Sequence, residues 1–170
     1  MSLSRRHLAT AALALAAAIG GWLVLGGGQA LTPAPSVHYT LLDGKQLNSA
    51  QLKGQVVLVN FWATSCSTCV AEMPQVMATF EKYKSRGYQT EAVAMSYDPP
   101  AYVASCAETR KLPFGVAIDN TGEIARSFGS VQLTPTSFLI NKRGEIVKRY
   151  VGAPDFTALH ALVEKLLAEA

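Results

Sequence analysis

Two cysteines three residues apart, Cys66 and Cys69, have the residue type and spacing that could do chemistry. A CxxC pair in a chain of alternating strands and helices indicates thiol–disulfide exchange. The nucleophile in that exchange is the thiolate, whereas a free thiol has a pKa of about 8.5. Cys66 lies where a predicted strand ends and a helix begins, so unpaired backbone N–H groups and the helix dipole favour its thiolate. Cys69 lies one helical turn further on, close enough to form a disulfide with Cys66.

This spacing also predicts the order of the reaction steps. Cys66 attacks a substrate disulfide to form a mixed disulfide, and Cys69 then attacks the Cys66 sulfur and releases the reduced substrate. Because we expect Cys69 to be buried, its thiol needs a proton acceptor. Glu72 is three residues further along the same helical face. Its carboxylate either exchanges protons with Cys69, helped by a pKa that burial raises, or merely favours the helix dipole.

The number and spacing of the cysteines and histidines give no reason to expect a metal site. Three cysteines are too few for a disulfide framework, and the second Cys/His pair that a zinc site needs is missing. We therefore expect no metal and no cofactor other than the Cys66–Cys69 disulfide. Cys106 is either a partly buried apolar residue or a third redox partner. A copper chaperone that binds Cu(I) through both thiolates remains an alternative, although the nearby sequence lacks the His or Met ligands it would use.

The elements that would position the cysteines alternate between strands and helices. The apolar run Val56–Trp62 predicts a strand buried on both faces, and apolar residues every three or four positions over 70–83 predict the following helix. A hairpin is expected over 37–47, with Ser49 capping a short helical turn through Leu52. Further strands are expected at 91–95, 114–118, 136–140 and 145–151, and further helices at 101–111, 121–128 and after Asp155. This alternation predicts an α/β domain with helices on both faces of a sheet and an antiparallel edge.

Residues 1–30 have the character of an export signal or a membrane anchor. Arg5 and Arg6 precede an uncharged apolar run over 8–25, and a cleavage-like Gly-Gln-Ala follows at 28–30. The run is short for a spanning helix of about 20 residues, so cleavage and anchoring are both open. No Lys or Arg occurs between Arg6 and Lys45, which predicts that the following chain lies outside the cytoplasm.

The chain beyond this segment is predicted to be a linker over 31–36 and one domain over 37–170. Apart from Arg5 and Arg6, the chain carries thirteen basic residues against twelve acidic ones. A nearly neutral domain gives no electrostatic reason to expect nucleic-acid binding, which needs a clustered basic face.

Two sequence blocks resemble a known family. The first, FWATSCSTCVAEMP at 61–74, resembles the active-site block of TlpA-like thioredoxin-fold proteins, which are exported or membrane-anchored thiol–disulfide oxidoreductases of the redoxin type. The second, TPTSFLI at 134–140 followed by GEIV, resembles the cis-proline block of that family. The resemblance extends from about residue 37 to the end of the chain. It implies a thioredoxin fold with an N-terminal β-hairpin and a central strand–helix insertion at 114–129.

The resemblance also implies roles for individual residues. Pro135 would follow a cis peptide bond and bring the backbone of Thr134 beside the cysteines, where it could pair with an extended substrate. Glu72 would be the acid behind the second cysteine, and Asn60 takes the place of the buried Asp of thioredoxin. The residues expected to contact substrate are Trp62, Ser67, Thr68, Thr134 and Pro135. Members of the family often have proline between the cysteines, whereas this chain has Ser-Thr, so the redox potential and the direction of exchange stay open.

The function implied is a monomeric, periplasmic reductase of protein disulfides, of the kind that matures cytochrome c or copper sites. It would be anchored in the inner membrane through residues 8–25 and supplied with electrons by a membrane protein. The alternatives are an oxidase or isomerase of the same fold, or the Cu(I) chaperone. The sequence does not identify the substrate protein or the electron donor.

Overall fold

The structure, a computed structural model, describes residues 31–169, which form eight strands and four α-helices. The strands are β1 (Thr32–Pro33), β2 (His38–Thr40), β3 (Gln46–Asn48), β4 (Val56–Trp62), β5 (Tyr88–Ala94), β6 (Gly115–Ile118), β7 (Thr136–Ile140) and β8 (Glu145–Val151). The helices are α1 (Ser67–Tyr83), α2 (Pro100–Arg110), α3 (Glu123–Ser127) and α4 (Phe156–Ala168). Short 3-10 turns occupy Ser49–Leu52 and Lys84–Arg86.

Six strands form one mixed sheet in the order β1-β8-β7-β4-β5-β6. Strands β4, β5 and β6 are parallel, whereas β7, β8 and β1 are added by antiparallel pairing. Every residue of β4 is buried, as expected for a central strand covered on both faces. Strands β2 and β3 form the separate predicted hairpin.

Apolar clusters cover both faces of the sheet. One cluster contains residues from α1, α2 and α4, including Met73, Val103 and Leu159. The other contains residues from the β2–β3 hairpin, the first 3-10 turn and α3, including Tyr39 and Phe128. The predicted α/β thioredoxin fold, with its N-terminal hairpin and central strand–helix insertion, is therefore confirmed.

The boundaries differ from the expected ones in several places. Within the expected linker over 31–36, Thr32 and Pro33 pair with the outer edge of β8, where a proline without an N–H is tolerated. The cap of the first 3-10 turn is Asn48 rather than Ser49, because the Asn48 side chain accepts the Ala50 N–H while Gln51 accepts the Asn48 N–H. The antiparallel part of the sheet is also larger than the expected edge, because β7 pairs directly with the central strand β4 and is followed outward by β8 and β1.

A buried carboxyl, Glu91, lies in β5 on the sheet face that carries the hairpin. It is 1% exposed, and its Oε2 atom has no hydrogen-bond partner. Burial raises the pKa of Glu91 to about 7. Its neighbour in β6 is Gly115, and a Cβ atom at that position would overlap the Glu91 carboxyl group. Burial, and secondarily the charge of Glu91, also raises the pKa of Tyr39.

The predictions for residues 1–30 concern a segment outside the described residues. Within residues 31–169, none of the helices has the length and apolar character that crossing a bilayer requires.

Candidate active site

The two cysteines form a disulfide at the start of α1. Cys66 is the N-cap of this helix, and its Sγ atom accepts the backbone N–H of Cys69 at 3.1 Å. The Cα atoms of the pair are 5.2 Å apart. Cys69 is 0% exposed, whereas Cys66 is only partly buried. The structure therefore leaves Cys66 partly exposed and gives its sulfur an N–H donor that favours the thiolate.

The loop before β7 brings a backbone carbonyl to the disulfide. The Thr134–Pro135 peptide bond is cis, the isomer that the resemblance implied. The Thr134 carbonyl oxygen lies 3.5 Å from Cys66 Sγ. Gly152 donates its N–H to the Pro135 carbonyl at 2.8 Å, which ties this loop to the end of β8. The cis-proline loop and the start of α1 thus form the two sides of one site.

Glu72 belongs to a buried polar group behind the disulfide. Its Oε1 atom accepts the Asn60 side-chain N–H at 3.1 Å, while its Oε2 atom is buried without a partner. Asn60 also donates to Ser137 Oγ at 2.9 Å, which links β4, α1 and β7. Burial raises the pKa of Glu72, and the Asn60 hydrogen bond opposes this in part. Glu72 can therefore hold or release a proton nearer neutrality than an exposed carboxyl.

Asp98 is a buried residue of the site that the sequence interpretation missed. It is 3% exposed and accepts two hydrogen bonds of 2.6 Å, from the backbone N–H and the hydroxyl of Thr64. Thr64 is two residues before Cys66. Tyr97, the residue before Asp98, places its hydroxyl 3.3 Å from Thr134 Oγ1. A polar residue just past the carboxyl end of a parallel strand was the available signal, since such ends commonly border ligand sites.

The remaining predicted site residues lie at different depths. Ser67 and Thr68 are exposed in the first turn of α1, Thr134 is half-buried and Pro135 is buried. Trp62 is 0% exposed, and its expected contact with substrate stays a prediction. Its side chain lies in the apolar cluster under α1, because the central strand that carries it is covered on both faces.

Exposed apolar side chains surround the site and define what we name the apolar collar. Among residues 31–169, four of the five large exposed hydrophobic side chains follow or flank the strand ends near the disulfide; they are Tyr97, Tyr102, Leu133 and Val151. Tyr102 and Thr64 line one open groove, and Val151 pairs with Thr136 beside the cis-proline. The segments 61–71, 96–107, 129–137 and 151–154 carry no exposed charged side chain. The segments that carry the collar are therefore uncharged, and an exposed Arg110 lines the groove that Tyr102 and Thr64 share.

The third cysteine does not take part in the disulfide. Cys106 is a free thiol, half-buried in α2 on the same groove as Thr64. Over the described part of the chain, no three His, Cys, Asp or Glu side chains come together in a way that could hold a metal ion.

The site thus consists of a disulfide at a helix N-terminus that faces a cis-proline loop on a thioredoxin fold. The sequence pattern of the redoxin family matches residues 29–165. The chain is a member of the redoxin family. It is a thiol–disulfide oxidoreductase with a CxxC pair, and relatives named for this activity support its TlpA-like character.

Redoxin relatives align over most of the domain. This chain is 36% identical over 134 residues to thiol-disulfide oxidoreductase ResA of Bacillus cereus, covering 78% of this chain and 76% of that protein. Among solved structures, it is similar to a putative thioredoxin from Neisseria meningitidis, with 39% identity, a TM-score of 0.76, and coverage of 82% and 93% of the two chains. It also resembles a putative thiol:disulfide interchange protein DsbE from Chlorobium tepidum, with 28% identity, a TM-score of 0.75, and coverage of 81% and 97%.

Proposed function

We propose that this redoxin reduces disulfides of exported proteins through Cys66, Cys69 and Glu72. The observation that carries the proposal is the proximity of the sulfur of the partly exposed Cys66 to the Thr134 carbonyl. This places a backbone acceptor beside the reacting sulfur, where an extended polypeptide can pair while its disulfide is attacked. Ser67, Thr68, Thr134 and Pro135 border this position, and the apolar collar extends it.

The reaction begins from the reduced enzyme. The Cys66 thiolate attacks one sulfur of the substrate disulfide, and the other substrate sulfur departs as a thiolate that takes up a proton. Glu72 accepts the proton of Cys69, whose thiolate attacks Cys66 Sγ. The bond between Cys66 and the substrate breaks, and the second substrate sulfur leaves as a thiolate that takes the proton from Glu72. Two electrons have passed from the enzyme to the substrate; one of the two protons comes from Cys69 through Glu72, and the other comes from solvent, to which Cys66 had lost its own. The Cys66–Cys69 disulfide has formed.

The oxidised enzyme then needs a dithiol donor of two electrons. A compartment that is kept oxidising offers no thiol pool for this purpose, so we propose a membrane protein that carries reducing equivalents from the cytoplasm. We further propose that residues 8–25 hold the enzyme at the outer side of the inner membrane and that it acts as a monomer. Separation of membrane and soluble fractions, followed by detection of the full-length chain, tests the anchor. Recovery of a shortened chain in the soluble fraction would contradict it.

One observation favours an oxidase as the second candidate. The Cys69 N–H already donates to Cys66 Sγ, and neither residue between the cysteines is proline. Stabilising the Cys66 thiolate stabilises the reduced enzyme, which makes the disulfide a stronger oxidant.

The reduction potential separates the two candidates. The full chain is equilibrated with thiol buffers of known potential, and the dithiol fraction is measured by trapping with a thiol reagent. A potential near or below about −270 mV, the thioredoxin value, supports the reductase. A potential near about −120 mV would contradict it and favour the oxidase.

A further inference from the structure

The segment between β5 and α2 contacts both sides of the disulfide site. Asp98 accepts the N–H and the hydroxyl of Thr64, in the turn that leads to Cys66. The adjacent Tyr97 places its hydroxyl 3.3 Å from the hydroxyl of Thr134, on the cis-proline loop. Asp98 also donates its N–H to Met95 O at 2.9 Å, which fixes the segment to the end of β5.

We propose that Tyr97 and Asp98 are positioning residues that hold the CxxC turn and the cis-proline loop in register. The inference rests on the proposed function, because it concerns the same site. Neither side chain has to touch the reacting sulfurs; each acts through a threonine beside them. The two contacts have separate effects, since one supports the nucleophile and the other supports the surface that receives the substrate.

The Asp98 contact supports the nucleophile through a short chain of hydrogen bonds. Cys66 donates its backbone N–H to Ala63 O at 3.1 Å, so Thr64 lies inside the turn that this bond closes. Both hydrogen bonds from Thr64 reach a buried carboxylate, and bonds to charged acceptors are the stronger kind. Loss of the hydroxyl bond leaves one buried carboxylate oxygen without its partner and loosens the turn. Cys66 then occupies its N-cap position for less of the time, and its sulfur accepts the Cys69 N–H less often.

The Tyr97 contact supports the receiving surface. Tyr97 is 57% exposed and belongs to the apolar collar, so its ring is accessible while its hydroxyl restrains Thr134. An extended substrate that pairs with the Thr134 backbone needs this loop at a fixed distance from Cys66. A small disulfide reagent needs only the sulfur.

Three variants of the full-length protein test the proposal. Thr64→Val removes the hydroxyl and keeps the backbone N–H, Thr64→Ser keeps both donors, and Tyr97→Phe removes only the phenol hydroxyl. The pKa of the Cys66 thiol is measured in the reduced protein from the pH dependence of its alkylation by iodoacetamide. Rates are measured with insulin as the protein disulfide and with 5,5′-dithiobis(2-nitrobenzoate) as the small one.

We expect Thr64→Val to raise the Cys66 thiol pKa and to slow both reactions at pH 7 at least threefold. In Thr64→Ser, the acid dissociation constant of the thiol and both rates should stay within twofold of the parent. Tyr97→Phe should slow the reaction with insulin at least threefold, leaving the acid dissociation constant of the Cys66 thiol and the small-disulfide rate within twofold of the parent.

Unchanged thiol pKa and rates in Thr64→Val would overturn the Asp98 half, even if its melting temperature fell. Should Thr64→Val fail to fold, Thr64→Ala removes the same hydroxyl and decides the Asp98 half in its place. Tyr97→Phe decides the Tyr97 half in either case, because the exposed hydroxyl is not needed for packing. If Tyr97→Phe slows the reactions with both substrates equally, or slows neither reaction, the Tyr97 half of the proposal is overturned. If the parent reduces no insulin, the proposed function fails, whereas the thiol pKa comparison still decides the positioning of Cys66.

Discussion

The Glu72→Gln substitution isolates proton transfer from Cys69. Glutamine has nearly the same shape and can still accept the Asn60 N–H, so the contacts among β4, α1 and β7 persist. It cannot accept a proton. Because Glu72 is 5% exposed and its second oxygen has no partner in the structure, we expect little water to take over its role.

The expected effect falls on the second chemical step. A positioned general base contributes about 10²- to 10⁴-fold, and we expect the lower end here because thiols are acidic enough to ionise unaided in part. A loss of about 100-fold corresponds to about 2.7 kcal/mol in the barrier. Attack by Cys66 on substrate should change less than threefold, so the mixed disulfide should accumulate.

Rapid acid quenching and mass spectrometry measure this accumulation as a species with the mass of enzyme plus substrate. The pH dependence adds a second criterion. Burial raises the pKa of Glu72, so its base form is lost as pH falls through that raised value, and the parent's resolution rate falls with it. The glutamine variant should lack this limb and speed up only as Cys69 ionises by itself. Resolution within threefold of the parent, with the same pH profile, would refute the role of Glu72.

Three further predictions follow from buried and exposed charge. Because burial raises the pKa of Glu91 from 4.5 to about 7, its stabilising contribution should be complete below pH 4.5 and fall by about 3 kcal/mol as pH rises to 7. The unfolding free energies of the parent and Glu91→Gln in urea should therefore differ by a pH-dependent amount over this range, and a difference that does not change with pH would contradict the prediction. Gly115→Ala should lower the melting temperature by several degrees, since its Cβ would overlap the Glu91 carboxyl, and Glu91→Ala should relieve part of that loss. Raising NaCl from 0.05 to 0.5 M, roughly a threefold drop in screening length, should change the rate with a protein disulfide less than twofold. The segments of the apolar collar are uncharged, and Arg110 at the groove beside Tyr102 does not make a charged cluster; a tenfold decrease would show electrostatic steering.

Local patterns predicted much of the site. The apolar run of β4 and the stripe of α1 could be identified without tertiary information, and together they place Cys66 at a helix N-terminus. The cis bond at Pro135 came from the family resemblance rather than from physics, because X–Pro bonds are mostly trans and tertiary context selects the isomer. The short strand β1 was not predicted, since two residues carry no periodicity. Its pairing with β8 becomes visible only when the sheet exists.

Contacts between residues far apart in the sequence account for the other differences. Asp98 and Thr64 are 34 residues apart, and no local spacing relates them. Trp62 follows the alternation of its strand, but the helix that covers its side chain is positioned by tertiary packing. Sequence patterns therefore predicted which elements meet, and only the structure shows which side chains remain accessible where they do.

The pairing of β1 with β8 determines how the enzyme can be held. Thr32 pairs with Ile146, near the start of β8, whereas Val151 at its other end pairs with Thr136 beside the cis-proline. At about 3.4 Å per residue, these ends are roughly 17 Å apart. The polypeptide thus enters the domain at the end remote from the disulfide. A bead or surface that holds the domain by residue 31 would leave the CxxC end facing outward, free to meet large partners.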